Sequence, residues 1–579
     1  MSRENHDLSA EFDEQNYAVY LPALSGFYTQ SLAKVKDKPE TMRKDGPPKG
    51  FEYGFEGLDF LRKEDNYFRY RYALYSAGHA QLDLEKANAD SPMVHERPDD
   101  TIIVGDSGGF QLATGVIKMN WENAKSANDP EREKLCEKIL RWLEHTADWS
   151  MTLDVPALAA APPLNKKTGL TSFQDTLDIT LLNLDYFMKN RVPGATKFLN
   201  VLSGSTQTDL KRWYDAVIKY SDPEQVKAMG YTEDRTLEGF AYAGINALNI
   251  GSALETTCRL IDDGMLKECE WIHILGIGRT DYACYINSLQ RELNKHHAPK
   301  LKISYDAASP FVSTAYGQFY GDGTYTKHRI GYNMGKAPDD KRLAFCEDRM
   351  PWNNPIMNRC RINDICVRKP AYAEVNGELL FPRQSKFKDK KKAEAENEVF
   401  LAEFEDQIND LREAGVEATF YPPELNRQDK ETRTSWDIGS YMIMMGHNVW
   451  THIDSVTQAI RLGKLEAHNY RDVSWRDWMP GKGKSSTNAF AEYVPGSVIY
   501  FDSLCRDLFD PARTSEERMQ ILKEAQPFLN TINARNLGSG NVFDSLFDIG
   551  DEGATDPESS YASLDDEKMV NLEQHQDDL

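Results

Sequence analysis

Three aspartates stand at the ends of apolar runs, where they could act on a sugar: Asp106, Asp154 and Asp306. Breaking a glycosidic bond with retention needs one carboxylate that attacks the anomeric carbon and a second group that handles protons. A third carboxylate could accept hydrogen bonds from the N–H edge of a bound base. Aspartates at such positions also cap following helices, and for Asp154 both interpretations stay open.

The residues around Asp106 are the most distinctive of the chain. The sequence DSGGFQ at 106–111 follows the apolar run 101–105, which is typical of a buried strand. Two glycines let the backbone approach a flat ligand closely, and Phe110 could stack on that ligand. The alternative is a strand-to-helix turn with a capping aspartate.

Eight short apolar runs, most of them separated by helical segments, must position these residues. Such alternation indicates parallel strands joined by crossovers, and eight units predict an α/β fold of the (β/α)8 TIM-barrel type. A doubly wound open sheet is the alternative. Asp106, Asp154, Ser203, Gly244, Gly276 and Asp306 lie near the carboxyl ends of their runs, which such a barrel gathers at one face. The runs are 17–26, 70–78, 101–108, 149–156, 197–204, 239–246, 271–278 and 302–309.

Four regions are expected along the chain. Residues 1–340 form the barrel, and 341–470 form a subdomain that carries cysteines and a charged insertion at 385–435. Residues 471–540 form a C-terminal extension, and 541–579 an acidic, flexible tail. Within the second region, helices are expected around 392–414 and 435–462.

Composition limits the class of protein. The N-terminus lacks the apolar core of a signal peptide, and no run approaches the roughly 20 apolar residues that cross a bilayer. Eight cysteines without a dense framework favour a reducing compartment. We therefore expect no membrane association and a cytoplasmic location, in a bacterium or a phage-infected host.

The charge is −23, of which 541–579 contribute −11. A polynucleotide must therefore be held by a local basic patch rather than by the overall field. Each candidate patch is otherwise an ordinary solvated face. The candidates are Lys34, Lys36, Lys38, Arg43 and Lys44; Lys386, Lys388, Lys390, Lys391 and Lys392; and Lys482 with Lys484.

The DSGGFQ stretch resembles the DSGG(F/Y)Q signature of the queuine and archaeosine tRNA-guanine transglycosylases, which exchange a guanine for a 7-deazaguanine. Asp306 and Pro310 reproduce the D-x-x-x-P spacing of that family's nucleophile. Four further segments follow in family order. They are MTLDVP at 151–156, FLNVLSG at 198–204 (family VQG), GFAYAG at 239–244 (family GYAIGG) and HILGIG at 273–278 (family YLMGVG).

The resemblance implies a role for each matching residue. Asp306 would attack C1′ and hold a covalent glycosyl-enzyme, while Asp106 would serve as the general acid and base. Asp154 would bind the base edge, Phe110 would stack on the ring, and Gly244 would offer a backbone N–H. The target nucleotide would be flipped or single-stranded. The other substrate-binding residues that the resemblance implies are Ser107, Gly109, Ser203, Gly204 and Gly276.

The resemblance also implies a structural zinc ion. The family binds zinc through a C-x-C-x2-C run and a later histidine, and a closed site needs four such ligands. Cys346, Cys360 and Cys366 lack the tight spacing, but GHNVW at 446–450 is similar to the segment that supplies the histidine. His447 is preferred to His452 as the fourth ligand. The alternative is a set of ordinary buried thiols with a helical histidine.

Several segments depart from the tRNA enzymes. Ser203 replaces a glutamine, GINALNIGS at 244–252 lacks a glutamate, and PFVSTAYG at 310–317 lacks the RNA-contacting arginines of the family's PTRNARNG. A preserved centre without these contacts is similar to the DNA-guanine transglycosylases. DNA is the favoured partner, with 7-cyano-7-deazaguanine as the incoming base.

Three other functions remain as alternatives: a tRNA-guanine transglycosylase with altered RNA recognition, an inactive nucleic-acid-binding subunit, and a barrel glycoside hydrolase. The presence of both Asp106 and Asp306 speaks against an inactive subunit. A glycoside hydrolase would have no use for a base-stacking Phe110. A protein partner and a homodimer both stay open.

Overall fold

A computed structural model describes residues 7–78, 82–425, 434–478 and 491–533. Its centre is an eight-stranded parallel sheet curved into a nearly closed barrel. Each strand falls within one of the eight apolar runs, so all eight predicted strands are confirmed. The strands are β1 Val19–Pro22, β2 Tyr72–Ser76, β3 Ile102–Asp106, β4 Trp149–Met151, β5 Lys197–Leu202, β6 Gly239–Tyr242, β7 Trp271–Ile274 and β8 Lys302–Ala307.

The strand order establishes the barrel. Strands β2 to β8 lie side by side in chain order, and β8 pairs in parallel with β1. The remaining seam between β1 and β2 is bridged at Ala23 and Leu74, where the Leu24 N–H donates to the Leu74 carbonyl over 2.9 Å. A doubly wound open sheet would not bring its first and last strands together, so that alternative is wrong.

Helices surround the barrel because both faces of a parallel sheet must be covered. The strands are correspondingly apolar, and every residue of β2, β4, β6 and β7 is buried. The helices of the barrel region are α1 Ser9–Glu14, α2 Gly26–Asp37, α3 Leu84–Asp90, α4 Pro92–His95, α5 Gly109–Thr114, α6 Pro130–Thr146, α7 Asn165–Thr168, α8 Phe173–Asn190, α9 Gln207–Val217, α10 Pro223–Ala228, α11 Ile245–Leu248, α12 Ile250–Asp262, α13 Thr280–His296 and α14 Ser309–Ala315.

Beyond β8 the chain forms a hairpin, β9 Gln318–Thr326 and β10 Arg329–Lys336, and later a long helix, α16 Ile438–Asn469. The helix α16 packs on α13, α14 and the hairpin. Asp437 caps its start by accepting from the Ser440 N–H, and the buried Arg43 guanidinium donates to the same carboxylate over 2.8 Å. This ion pair joins the segment after α2 to the C-terminal half of the chain.

The helix predicted around 392–414 is observed as α15 Lys390–Glu413. It packs on a separate antiparallel sheet of β11 Tyr372–Val375, β12 Glu378–Leu380 and β13 Ala418–Tyr421, in the order β12-β11-β13. The shared core is small and centres on Ala373, Ile408 and Ala418. This unit, α15 with β11–β13, carries the charged insertion on the outside of the molecule.

Two last helices complete the described chain: α17 Gly496–Leu508, which packs on α13 and α16, and α18 Ser515–Asn533, which packs on α12. None of the helices within the described ranges combines the length and apolar content that crossing a membrane requires. The acidic tail predicted for 541–579 lies outside the described residues.

Candidate active site

Asp306 lies on β8 near its carboxyl end, where the parallel register aligns it with Leu21 of β1. One oxygen of its carboxylate, Oδ1, accepts two hydrogen bonds. The Gly276 N–H donates over 2.8 Å, and Nε2 of His273 lies 3.2 Å away. Within the described ranges Oδ2 has no hydrogen-bond partner. The carboxylate is therefore held by one oxygen while the other is available to a ligand.

Two buried residues continue this contact into the barrel. Nδ1 of His273 lies 2.8 Å from Oγ of Ser304, and the indole N–H of Trp271 donates to the same oxygen over 2.8 Å. His273 and Ser304 are both 0% exposed. Strand register explains the contact, because His273 of β7 aligns with Ser304 of β8, two residues before Asp306 and on the same face.

Asp106 is the last residue of β3 and is aligned with Ser76 of β2. Oδ1 of Asp106 accepts the Gly108 N–H over 3.1 Å, and the Ser76 hydroxyl also donates to the carboxylate. Burial raises the pKa of Asp106 and the charge of Asp306 raises it further, whereas these two hydrogen bonds and the charge of His273 lower it. The net shift is upward, so Asp106 keeps a proton to a higher pH than an ordinary aspartate.

Asp154 follows β4 by three residues and is 9% exposed. Burial raises the pKa of its carboxyl to about 7, and the charge of Asp106 contributes to the shift. Gly109 allows a close contact here, because a Cβ on that residue would lie 2.7 Å from both the backbone oxygen and Oδ1 of Asp154. Any larger residue would push the base of the DSGGFQ turn away from this carboxyl.

The three aspartates form an electrostatic series at one end of the barrel. The charge of Asp306 raises the pKa of Asp106, and the charge of Asp106 raises that of Asp154. Carboxyl groups whose surroundings push their pKa values apart can divide acid, base and nucleophile roles between them. The arrangement can therefore present the Asp306 carboxylate, held through Oδ1, together with two carboxyls that keep their protons to a higher pH than ordinary aspartates.

The other predicted substrate-binding residues lie at the ends of neighbouring strands. Phe110 is half-buried in the first turn of α5, and Ser203 and Gly204 are buried directly after β5. Gly244 has a positive φ of 58°, and a Cβ there would lie 2.4 Å from the Gly204 oxygen, so this close approach requires glycine. Ser107 and Gly276 already have protein partners: the Ser107 hydroxyl donates to the Thr152 carbonyl over 3.2 Å, and Gly276 binds Asp306.

The four predicted zinc ligands each have a different partner. His447 is buried, with Nδ1 2.7 Å from Nδ2 of Asn354 and Nε2 2.8 Å from the Tyr320 carbonyl. The thiols of Cys360 and Cys366 donate to the carbonyls of Ile356 and Pro338, over 3.5 Å and 3.2 Å.

Cys346 is half-exposed, with its thiol 3.6 Å from Asp348 Oδ2. Across the part of the chain that the structure describes, no three His, Cys, Asp or Glu side chains form a group that could hold a metal ion. In this arrangement the four residues do not fit a zinc ion, and zinc remains a prediction from the resemblance. His452, the other candidate for the histidine ligand, is also buried, with Nδ1 2.7 Å from the Tyr332 hydroxyl.

The predicted basic patches differ in accessibility. Lys34, Lys38 and Lys44 are exposed, but Arg43 is buried in its ion pair with Asp437 and is unavailable to a phosphate. Four lysines around the start of α15 are exposed. They are Lys386, Lys388, Lys391 and Lys392. The side chains of Lys36 and Lys390, and the residues Lys482 and Lys484, lie outside what the structure describes.

Sequence reasoning missed the residues that support the aspartates: His273, Ser304, Trp271 and Ser76. A signal was present, because histidine and serine are unusual in otherwise apolar buried strands and buried polar side chains need partners. Aligning the runs of β7 and β8 as parallel neighbours would have paired His273 with Ser304.

Comparison with known proteins adds no family assignment. A scan against protein-family models finds no match for this chain, and a search of the curated proteins also finds none. The functional argument therefore depends on the site itself and on the motif resemblance.

Proposed function

We propose that this protein is a DNA-guanine transglycosylase, which exchanges a guanine base in DNA for a 7-deazaguanine. One observation carries the proposal: Asp306 is held at the barrel mouth through Oδ1, with Oδ2 free of protein partners in the described ranges, and its charge raises the pKa of the Asp106 carboxyl. A carboxylate nucleophile beside a carboxyl of raised pKa is the arrangement that retaining glycosidic chemistry uses.

In the first half-reaction, Oδ2 of Asp306 forms a bond to C1′ of the target nucleotide as the C1′–N9 bond breaks. The bonding electrons leave with guanine, which takes up the proton of Asp106. The upward shift in the pKa of Asp106 favours this role, because the acid must be protonated when the base departs. The product is a glycosyl ester on Asp306.

In the second half-reaction, an incoming 7-deazaguanine loses its N9 proton to Asp106 and attacks C1′. The ester bond breaks, and Asp306 returns to its carboxylate form. Asp154 would bind the N–H edge of either base, with the half-buried Phe110 beside the ring. A carboxyl of pKa about 7 can donate or accept a hydrogen bond, which would allow two related bases to share the position.

The preference for DNA rests on the segment after Asp306. Residues 310–317 carry no arginine, and Pro310, Phe311, Ser313 and Thr314 are buried in and beside α14. Asn448 fixes this helix by donating to the Pro310 carbonyl over 3.2 Å. A segment buried in this way lacks the RNA-contacting side chains of the tRNA enzymes. The DSGGFQ signature itself is shared with those enzymes, so tRNA-guanine exchange is the second candidate.

A base-exchange assay tests the proposal. Purified protein would be offered radiolabelled guanine with duplex DNA, single-stranded DNA or unmodified tRNA, and D306A would be the matched control. We expect label in DNA that depends on Asp306. Label in tRNA alone would support the second candidate, and no label in any substrate would contradict both.

A further inference from the structure

We propose that His273 is a positioning residue for Asp306: its imidazole donates Nε2–H to Oδ1 and thereby sets how readily the glycosyl ester on Asp306 breaks down. The inference rests on the proposed function and gives a role to His273, for which the motif resemblance implies none. Its evidence is the buried chain of contacts from Trp271 through Ser304 and His273 to Asp306.

The donors and acceptors of this chain fit one protonation pattern. The indole N–H of Trp271 can only donate, so Oγ of Ser304 accepts there. An ionised Asp306 can only accept, so Nε2 of His273 carries the proton at that contact. Nδ1 lies 2.8 Å from the Ser304 hydroxyl, which can serve as donor or as acceptor at that contact. Every polar group of the chain has a partner in this pattern.

Burial protects this hydrogen-bond chain from water. His273 and Ser304 are 0% exposed, so water cannot replace either partner without opening the barrel wall. The second donor to Oδ1, the Gly276 N–H, approaches from the loop after β7. Two donors on one oxygen orient the carboxylate, and within the described ranges Oδ2 has no protein partner.

The two donors act unequally on the two states of Asp306. A hydrogen bond to a carboxylate is stronger than one to an ester carbonyl, because the acceptor carries a full charge. The donors therefore favour the free carboxylate over the ester and assist its departure in the second half-reaction. Removing the His273 donor should raise the equilibrium ratio of covalent adduct to free enzyme roughly tenfold. This factor corresponds to the difference in strength between a hydrogen bond to a charged acceptor and one to a neutral acceptor.

The tautomer can be measured without any enzymatic activity. Nitrogen-15 correlation spectra of the histidine side chains, with His273 assigned through the signals missing in H273Q, report which ring nitrogen carries hydrogen. We expect hydrogen on Nε2. A ring protonated at Nδ1 alone would overturn the proposed hydrogen-bond chain.

The adduct ratio is measured on denaturing gels with end-labelled DNA at a fixed concentration of free guanine. H273F removes the donor and should raise the adduct ratio roughly tenfold while turnover falls. H273Q keeps an N–H that can reach Oδ1 and should return both values toward those of the wild type. S304A, which frees the tautomer but keeps the imidazole, should give a smaller rise of about twofold to threefold.

S150A is the matched control for S304A. Ser150 is also a buried strand serine, and within the described ranges its hydroxyl bonds to that of Thr196, at 3.1 Å, and to none of the three aspartates. It should leave the adduct ratio unchanged. If the melting curve of H273F shows that this variant does not fold, H273Q and S304A provide the test instead.

An unchanged adduct ratio in folded H273F, or equal effects of S304A and S150A, would overturn the role of His273. A wild-type protein that exchanges no base in any nucleic acid would instead overturn the proposed function, and with it the effect on the adduct. The tautomer measurement still decides the hydrogen-bond chain in that case.

Discussion

Two groups of chemically promising residues behave differently in this protein. The aspartates of the barrel mouth influence one another's pKa values, and Asp306 connects to a buried hydrogen-bond chain. The cysteines and His447 of the region after the barrel each bind a separate carbonyl or side chain. The aspartates were predicted from their places at the ends of apolar runs and the cysteines with His447 from the family resemblance, yet only the first group converges.

The difference comes from what positions each group. Asp106 and Asp306 lie on strands whose parallel register fixes both height and direction, so their places follow once the strands are recognised. Cys346, Cys360 and Cys366 lie in short turns between 3-10 segments, where spacing along the chain does not determine distance in space. A regular framework therefore supports inference from motifs far better than a run of turns.

The largest expected effect comes from removing the nucleophile. D306N keeps the shape of the side chain but cannot form a stable glycosyl ester, and base exchange should fall by about a thousandfold or more. The melting temperature should change little, because the amide oxygen of the substituted side chain can still accept from the Gly276 N–H. Base exchange that continues in folded D306N would show that Asp306 is not the nucleophile.

D106N should lower exchange by about a hundredfold to ten-thousandfold, because the departing guanine loses its proton donor. A chemical rescue distinguishes this role from a structural one. A 7-methylguanine in DNA leaves as a neutral base without protonation, so D106N should attack it at nearly the wild-type rate. D306N should fail on the same substrate, and equal failure of both variants would argue against Asp106 as the acid.

The raised pKa of Asp154 predicts a pH-dependent stability. Its pKa is about 7 in the folded protein against an ordinary value of 3.8. Between these two pH values the folded state keeps a proton on Asp154 that the unfolded state has released. The contribution of Asp154 to the free energy of unfolding is therefore lost as pH rises from about 4 to about 7. D154N cannot ionise, so its free energy of unfolding relative to wild type should increase by roughly 2 to 4 kcal/mol across that window.

Urea unfolding of both proteins at pH 4, 6 and 8 measures this difference, since contributions from other groups cancel between the two. A difference that stays constant with pH would show that the Asp154 carboxyl ionises normally.

The smallest expected effect comes from substitutions in the second group, the cysteines and His447 of the region after the barrel. Cys346 is half-exposed with one weak contact, so C346S should change the free energy of unfolding by about 0.5 kcal/mol at most. Chelation should leave the melting temperature of the wild type unchanged. About one zinc per chain, with a large loss of stability in C346S and on chelation, would contradict the described geometry and support the ligand set implied by the resemblance.

The sequence was sufficient for the barrel and for the placement of the carboxylates. Eight apolar runs predicted eight strands, and the rule that parallel strands present their carboxyl ends at one face placed Asp106 and Asp306 together. It was insufficient for His273 and Ser304, because their roles depend on which residue lies opposite in the next strand. Gly276 was predicted to contact substrate, but its N–H is bound to Asp306.

Charge clusters were the least predictable feature. Arg43 belongs to a basic run in the sequence, yet it lies buried against Asp437, almost four hundred residues away along the chain. Such long-range pairing leaves no local pattern. The lysines around the start of α15 are exposed, as expected of a solvated helix end.

The most direct test of the central claim is to locate the covalent adduct. Wild-type protein would be incubated with guanine-containing DNA, digested with nuclease and trypsin, and mapped by mass spectrometry. We expect a deoxyribose-containing adduct on the peptide of residues 303–327, at Asp306, and none in D306N. An adduct on another residue, or base exchange without any adduct, would contradict it.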